Sequence, residues 1–212
     1  MIMAKRPEDV RTGTVRIVWP HLFAPYASEN QDSEPSYSVA ILIDKEDKKT
    51  LNAINAAYKA AFEAGVKKHG AKFQSKGKTP LIRPDGGNKG ILIDCDSDLR
   101  PDSLDAEDVK GCYLMNLKRK NKPGVVAVQD GALVHLGEED IQGGDYCQVT
   151  LSMYPYNHPQ GGMGISKGLN NVCKMSDGEP LGTGSASAES DFADMASASA
   201  FGSGDNDEDP FA

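Results

Sequence analysis

The sequence predicts a mainly β protein, a small barrel of short strands with one long amphipathic helix packed on it. Stretches of alternating apolar and polar residues recur along the chain, separated by turns rich in Pro, Gly and Asn. A single stretch combines three- and four-residue apolar spacing with the length of a helix. The last residues lack bulky side chains, so we expect residues 1–182 to be the folded domain and residues 183–212 a disordered acidic tail.

The first two strands are predicted on either side of a polar loop. Residues 12–19 alternate, which places Trp19 on the buried face, and we expect Pro20 to end the strand. Residues 37–43 are apolar on both faces, which is typical of a central strand covered on both sides.

The long helix is predicted to begin after Asp44, whose carboxylate can accept hydrogen bonds from the free amides of the first turn. We expect it to fray at Gly65 and to end by Gly70, where glycine suits a helix C-terminus. Its apolar face consists of Leu51, Ile54, Tyr58, Ala61, Phe62 and Val66.

The second half of the chain predicts an irregular stretch, residues 70–110, followed by further strands. The strongest of them, residues 145–156, alternates between an apolar row and a row that carries Tyr146, Tyr154 and Tyr156. The strands are expected at residues 111–119, 125–128, 132–136 and 145–156, with a weaker strand at 163–175.

The net charge of −8 hides an uneven distribution of charge. Residues 175–212 hold nine acids and no lysine or arginine, which leaves 22 acids and all 23 basic residues in residues 1–174. The body is therefore nearly neutral and carries an anionic tail. Net charge alone does not exclude a nucleic-acid partner.

Two basic clusters stand in this nearly neutral body. Residues 64–84 contain six basic residues and no acid, and residues 118–122 contain four basic residues at a turn between strands. Either cluster alone is typical of a solvated surface, but together they favour phosphate binding. The clusters are Lys67, Lys68, Lys72, Lys76, Lys78 and Arg83, and Lys118, Arg119, Lys120 and Lys122.

Tyrosines near these clusters favour unpaired nucleic acid, because the face of an unpaired base can stack on an exposed ring. The alternative is that the tyrosines pack beneath the helix or a loop. We predict that the bases stack on Tyr113, Tyr154 and Tyr156, and that the phosphates contact Arg16, Lys72, Lys76, Lys78, Lys118, Lys120 and Lys122.

The segment 94–108 supports a different hypothesis, a metal-dependent nuclease. Asp94, Asp96 and Asp98 alternate, and such carboxylates can hold a divalent cation. A calcium loop, however, needs glycine where Leu99 stands, so a solvated acidic loop is the favoured interpretation. Since the sequence also shows no nucleophile signature, we expect neither an enzyme nor a cofactor.

The cysteines and the apolar runs indicate the compartment. Four widely spaced cysteines allow a zinc site or disulfides, but reduced, packed cysteines are favoured because no Cys-x-x-Cys pair is present. The sequence begins without an apolar run of signal-peptide length, and no run approaches a membrane span. We therefore expect a cytoplasmic protein with no membrane association.

Three segments carry a family resemblance: PSYSVAILIDK, the KPG turn, and GLNNVCKMSDGEPLG. With them, the chain resembles the phage and prophage single-stranded-DNA-binding proteins long described only as of unknown function, which are related to podophage replication proteins. The resemblance implies an oligonucleotide-binding (OB) barrel that coats single-stranded DNA in replication and recombination, assists annealing and acts in the bacterial cytoplasm. Whether the protein forms a homodimer is left open by the sequence. The alternative function is an RNA-binding or assembly role on the same barrel.

The resemblance also implies that the acidic tail competes with DNA for the basic groove and contacts replication or recombination proteins. Tails of this kind usually end on the aromatic residue itself, whereas Ala212 follows Phe211 here. The electrostatic role of the tail is therefore better supported than recruitment. The residues concerned are Asp205, Asp207, Glu208, Asp209 and Phe211.

Overall fold

The computed structural model describes residues 6–27, 34–87, 89–159 and 162–181, all within the compact unit Met1–Gly182. The predicted tail, residues 183–212, lies outside the described residues. The elements are β1 (Asp9–Arg11), β2 (Val15–Tyr26), β3 (Ser36–Asp44), α1 (Lys48–His69), α2 (Ala71–Lys76), β4 (Ile93–Asp94), β5 (Cys112–Arg119), β6 (Gly124–Gln129), β7 (Ala132–His135), a 3-10 turn (Glu138–Asp140), β8 (Tyr146–His158) and β9 (Gly162–Ser176).

Five of the strands pair in a ring. β2 lies between β8 and β3, β5 follows β3, β9 follows β5, and β9 pairs along its length with β8. Two of these strand pairings are short, since β2 pairs with β8 at two residue pairs and β5 pairs with β9 at one parallel pair. A five-stranded, partly open barrel is the architecture of the OB-fold. The prediction of a mainly β barrel with one long helix is confirmed.

Strand β3 separates two apolar clusters, as its two apolar faces predicted. Ile41 and Ile43 belong to the main cluster, which fills the barrel and lies against α1. Ala40 and Leu42 belong to the second cluster, on the outer face of the barrel. Residues of the acidic segment cover the second cluster, so this part of the outer face is not open to solvent.

Helix α1 confirms the predicted apolar face and the predicted end by Gly70, but not the predicted cap or the fraying at Gly65. Asp47, rather than Asp44, caps the helix by accepting from the Thr50 N–H at 3.0 Å. Asp44 instead accepts from the Glu46 N–H at 2.7 Å, so its carboxylate serves the turn before the helix. Gly65 does not fray the helix but lies buried within it, because the Phe73 ring occupies the space beside its Cα.

Strand β2 continues through Pro20, so the predicted end was wrong. The pairing with β3 shifts register after Val18, and an irregularity of this kind accommodates a residue that cannot donate to the ladder. Trp19 adopts φ 47° at this point. Its side chain therefore packs against the second cluster instead of joining Ile17 in the main one, as alternation had predicted.

The region predicted as irregular contains the short helix α2, and the strand predicted as weak is the long β9. Phe73 holds α2 in place, since its ring is fully buried between α1 and the turn at Gly77. β9 spans 15 residues because it pairs with β8 along its whole length.

In the described part of the chain, no helix is long and apolar enough to cross a bilayer. The four cysteines are free, and Cys95 and Cys147 are buried.

Candidate nucleic-acid interface

One row of residues crosses all five strands of the ring. His21, Ser38, Lys118, Gly168 and Ser152 occupy paired positions on β2, β3, β5, β9 and β8 in that order. Beside this row, the outer face of β2, β3 and β5 forms a cavity of about 470 Å³, which we call the groove. It is lined by Trp19, His21, Tyr26, Ser38, Val39, Ala40, Asn116, Leu117 and Lys118.

Aromatic side chains from β2 make up one wall of the groove. The rings of His21 and Tyr26 stack at 4.5 Å with an interplanar angle of 10°, and Tyr26 is 51 % exposed. Trp19 lies beside them in a backbone conformation that costs about 1–3 kcal/mol for a residue with a side chain. Strain of this kind concentrates at functional sites, and flat exposed rings can stack on unpaired bases.

Tyr154 and Tyr156 continue this face onto β8 and β9. A Cβ on Gly168 would lie 3.3 Å from the Tyr154 ring, and a Cβ on Gly164 would lie 2.9 Å from the Tyr156 hydroxyl. Both rings therefore lie low over glycines of β9. Since Gly168 pairs with Lys118, the Tyr154 ring lies beside the cationic end of the groove.

The predicted cations at the β5–β6 turn flank the groove. Lys118 lines it, and the Lys122 ammonium lies 5.2 Å from the centre of the Phe23 ring of β2. Lys120 forms an ion pair with Glu34, and this hydrogen bond raises the pKa of the lysine. Both side chains of that pair are exposed, so the pair adds little to stability, and a phosphate can take the place of Glu34 beside the lysine.

The basic segment around α2 docks onto the far end of β9. The buried Thr79 accepts from the Ile165 N–H at 2.9 Å through its hydroxyl and from the Tyr58 hydroxyl at 2.6 Å through its carbonyl. These bonds bring the exposed Lys78 close to the Gly164 end of β9, beside Tyr156. The other predicted lysines, Lys72 and Lys76, lie exposed on α2.

Arg16 and Tyr146 lie together, apart from the groove. Arg16 pairs with Leu42, four residues along β3 from Ser38, a separation of roughly 13 Å at ~3.3 Å per residue. Its guanidinium lies over the Tyr146 ring at 5.6 Å. It also donates to the backbone carbonyls of Gly144, at 3.3 Å, and Glu179, at 2.9 Å.

Tyr113 also lies away from the other predicted residues. It is five residues from Lys118 on β5, roughly 17 Å at ~3.3 Å per residue, and packs partly buried against the main cluster. The Lys45 ammonium lies 5.1 Å from the centre of its ring. This contact makes Tyr113 part of the barrel wall near the start of α1.

The carboxylates suggested for a metal are held by a lysine. Lys45 contacts Asp94 at 2.6 Å and Asp96 at 2.7 Å, and Asp96 also accepts from the Gly111 N–H at 2.9 Å. The bonds from Lys45 and Gly111 lower the pKa of Asp96. Among the described residues, no three His, Cys, Asp or Glu side chains are grouped to hold a metal ion, so the arrangement does not favour the nuclease hypothesis.

The acidic segment bounds the groove at one end. Cys95 and Leu104 are buried in the second cluster with Leu114 of β5, and the groove begins two residues further along that strand, at Asn116. The same outer face therefore carries acids at one end and Lys118 at the other. The acids of this loop are mostly exposed, in agreement with the favoured interpretation of a solvated acidic loop, and two of its apolar side chains anchor it.

Sequence reasoning missed the β2 wall of the groove. Residues 20–26 were assigned to a polar loop because Pro20 was expected to end the strand. A signal was available, since WPHLFAPY contains four ring-bearing residues other than proline among eight, which is unusual for a solvated loop. Their convergence on Asn116 and Lys118 depends on strand pairing and could not be predicted from spacing.

Comparisons with known proteins agree with this fold. Among solved structures, the single-stranded DNA-binding protein of bacteriophage Enc34 in complex with ssDNA is 24 % identical, with 82 % of this chain and 90 % of that chain covered at a TM-score of 0.60. The phage T7 single-stranded DNA-binding protein gp2.5 is 16 % identical, with 85 % and 96 % covered at a TM-score of 0.51. These likenesses show a shared fold. No curated protein matches the sequence.

The family comparison extends over nearly the whole chain. The model of the Enterobacter phage Enc34 ssDNA-binding protein matches residues 8–202. That span includes every strand and helix of the barrel and the three segments that carried the resemblance. The chain therefore belongs to the family of the single-stranded-DNA-binding protein of Enterobacter phage Enc34, which confirms the resemblance of its motifs.

Proposed function

We propose that this protein binds single-stranded DNA along the groove and coats it without catalytic turnover. The observation that carries the proposal is the pairing of an aromatic wall, Trp19, His21 and Tyr26, with Lys118 across a single groove of an OB barrel. Stacking supplies affinity without sequence preference, and the cations neutralise the backbone. Duplex DNA hides the faces of its bases, so a stacking site favours single strands.

Within this proposal, the predicted residues have distinct positions. Tyr154 and Tyr156 extend the stacking surface from the groove across β9 towards α2. Arg16 and Tyr113 keep their predicted roles only if the DNA runs beyond the groove. The phosphates are neutralised by Lys118, Lys120 and Lys122 at one end and by Lys72, Lys76 and Lys78 at the other.

We also propose that residues 183–212 act as a separate anionic tail that competes with DNA for the groove. Leu181, the last described residue, packs in the same cluster as Trp19. A polyanion attached there has a high effective concentration at the groove. The tail then becomes available to replication or recombination proteins when DNA displaces it. Annealing assistance, a homodimer and a cytoplasmic site of action in the host complete the proposal.

Removing an exposed ring from the groove is expected to weaken DNA binding without changing its dependence on salt. Tyr26→Ala should cost about 1–3 kcal/mol, since one stacked base is lost while every phosphate contact is kept. Tyr154→Ala should behave in the same way. Fluorescence anisotropy with oligothymidine over a salt series measures both the affinity and the slope.

Tyr146→Ala is the matched control for these variants, because Tyr146 is also an exposed tyrosine on β8 but lies beside Arg16 away from the groove. It should bind like the wild type. Equal affinity of Tyr26→Ala and the wild type would contradict the stacking role of the groove. Competition with RNA and duplex oligonucleotides in the same assay separates the RNA-binding alternative.

Deleting residues 204–212 is expected to tighten single-strand binding most at low ionic strength. The deletion removes Asp205, Asp207, Glu208 and Asp209, and attraction between these charges and the groove is screened by salt. A tail of unchanged length with Asn and Gln at those four positions is the control for charge. If neither variant binds more tightly at low salt, tail competition is wrong.

A further inference from the structure

A second, smaller cavity adjoins the groove where β4 and β9 part from β5. β4 pairs with β5 at Leu114, whereas β9 pairs with it at Lys118, which leaves the edge of β5 at Asn116 unpaired by either strand. The gap holds a cavity of about 180 Å³. It is lined by Arg83, Gly90, Ile91, Ile93, Leu114, Asn116 and Lys167.

The two cations of this cavity are held by backbone carbonyls. The Lys167 ammonium donates to the Gly90 carbonyl at 3.1 Å, and the Arg83 Nε–H donates to the Gly87 carbonyl at 2.5 Å. Two backbone hydrogen bonds join the ends of the loop that supplies these carbonyls. The Arg83 N–H donates to the Leu92 carbonyl at 2.8 Å, and the Ile91 N–H donates to the Pro80 carbonyl at 3.0 Å. In the described ranges, neither cation has an ion pair with a carboxylate of the protein, which distinguishes them from Lys45 and Lys174.

Within the part of the chain that the structure describes, these two cations are left without a counter-charge. Burial lowers the pKa of Lys167, because the ammonium loses water without gaining a counter-charge. A partly buried cation with one carbonyl acceptor reduces stability, and a bound anion would offset that cost. Among the described residues, the terminal N–H groups of Arg83 make no hydrogen bond, so their planar fork could bind a phosphate.

The position and size of the cavity indicate which anion. Asn116 lines both the cavity and the groove, so an anion held here lies at the β5 edge of the groove, opposite the aromatic wall on β2. The volume holds roughly six waters at ~30 Å³ each, which suits a single compact anion. The lining contains no aromatic ring, so the cavity does not suit a base.

We propose that Arg83, Lys167 and Asn116 form a subsite for one backbone phosphate of the bound single strand. The inference rests on the proposed function and adds that the DNA strand binds in one fixed register along the groove. Most phosphates on such a surface exchange among mobile lysines, whereas the phosphate in this subsite has one defined place. The base next to it is thereby directed across the groove, towards the wall formed by Trp19 and Tyr26.

Arg83→Gln and Lys167→Met test the subsite in full-length protein. Each should weaken oligothymidine binding by roughly tenfold, the loss of one charge-assisted hydrogen bond. The double variant should flatten the salt slope by about 0.7, the share of one phosphate of a single strand. Lys89→Gln is the matched control, since it removes one exposed charge from the same loop and should change affinity much less.

Replacing one phosphate of the DNA by an uncharged linkage distinguishes a defined subsite from diffuse attraction between the DNA and the surface cations. Short oligothymidines that each carry one methylphosphonate should bind the wild type with one position that costs markedly more than the others. The double variant should lose that preference. Inorganic phosphate should compete with the DNA more weakly than the oligonucleotide does, because free phosphate gains no help from stacking.

Three outcomes overturn the inference. If Lys89→Gln weakens binding as much as Lys167→Met, the cations act diffusely. If Lys167→Met unfolds at a clearly lower temperature than the wild type, the lysine is structural, since a desolvated cation kept for a ligand should cost little stability to remove. If the wild type binds DNA but no linkage position stands out, only the subsite is wrong. If the wild type binds no single strand, the proposed function fails first.

Discussion

Lys174→Met should lower the free energy of unfolding by about 3–5 kcal/mol, because it leaves a buried carboxylate without its cation. Asp145 is fully buried, and Lys174 contacts it at 2.9 Å. Asp145 also accepts from the N–H groups of Gln142, at 2.9 Å, and Gly178, at 3.1 Å. These bonds cannot replace a counter-charge. Urea denaturation followed by the fluorescence of Trp19, the single tryptophan, measures the loss.

Asp177→Asn is the control for this variant. Asp177 contacts the same lysine at 2.7 Å but is 90 % exposed, so its loss should cost no more than about 1 kcal/mol. Similar losses for the two variants would mean that burial of Asp145 does not decide the stability of this cluster. The double variant Asp145→Asn with Lys174→Met should recover part of the stability lost in the lysine variant, since no buried charge then stays unpaired.

This cluster has a functional consequence. Asp145 joins the start of β8 to Gly178, and the Leu181 N–H donates to the Gly143 carbonyl at 3.2 Å in the same region. A Cβ on Gly143 would lie 3.8 Å from the backbone nitrogen of Trp19. The buried ion pair thus holds the end of the barrel domain beside the groove. If the proposed competition by the tail is right, loss of the ion pair should also weaken it.

Phe73→Ala should lower the free energy of unfolding by about 3–5 kcal/mol, the usual cost of deleting a fully buried ring. The ring packs against Phe62 at 5.9 Å between ring centres, and Gly65 and Gly77 close the space around it. Glycines have no side chains that could fill the cavity, so relaxation should recover little. Thermal unfolding followed by circular dichroism measures the effect.

The matched variant is Phe73→Leu, which keeps most of the apolar volume and should lose clearly less stability. Phe73 fixes α2, which carries Lys72 and Lys76, onto α1. If this basic segment belongs to the DNA interface, Phe73→Ala should also bind single strands more weakly at a temperature where it is still folded. Unchanged affinity in the folded variant would remove the α2 lysines from the interface.

The sequence predicts most elements correctly because their signals are local. Alternation along residues 145–156 reflects two faces of one strand, and the apolar spacing from Leu51 to Val66 reflects one face of a helix. All the residues that form each pattern belong to a single strand or helix. The helix cap was wrong by three residues because Asp44 and Asp47 satisfy the same local rule, and the contact that separates them is the turn before the helix.

The groove was not predictable in the same way, because it depends on irregular backbone. Pro20 marks the end of a regular strand in sequence reasoning, yet the register shift in β2 accommodates it and extends the strand to Tyr26. The same irregularity moves Trp19 to the outer face. Local rules describe regular elements, whereas functional sites often depend on departures from them.

By itself, the sequence determined the partition of charge between body and tail, the barrel class and the family, since composition and short patterns carry that information. Only the tertiary structure decided which rings meet which cations. His21, Ser38, Lys118 and Gly168 form one row because five strands pair in a ring. Hydrogen bonds from Ile165 and Lys167 of β9 to Thr79 and Gly90 bring Arg83 close to Lys167, which is 84 residues away in the chain. Contacts of this kind are set by register between distant strands, which no local pattern records.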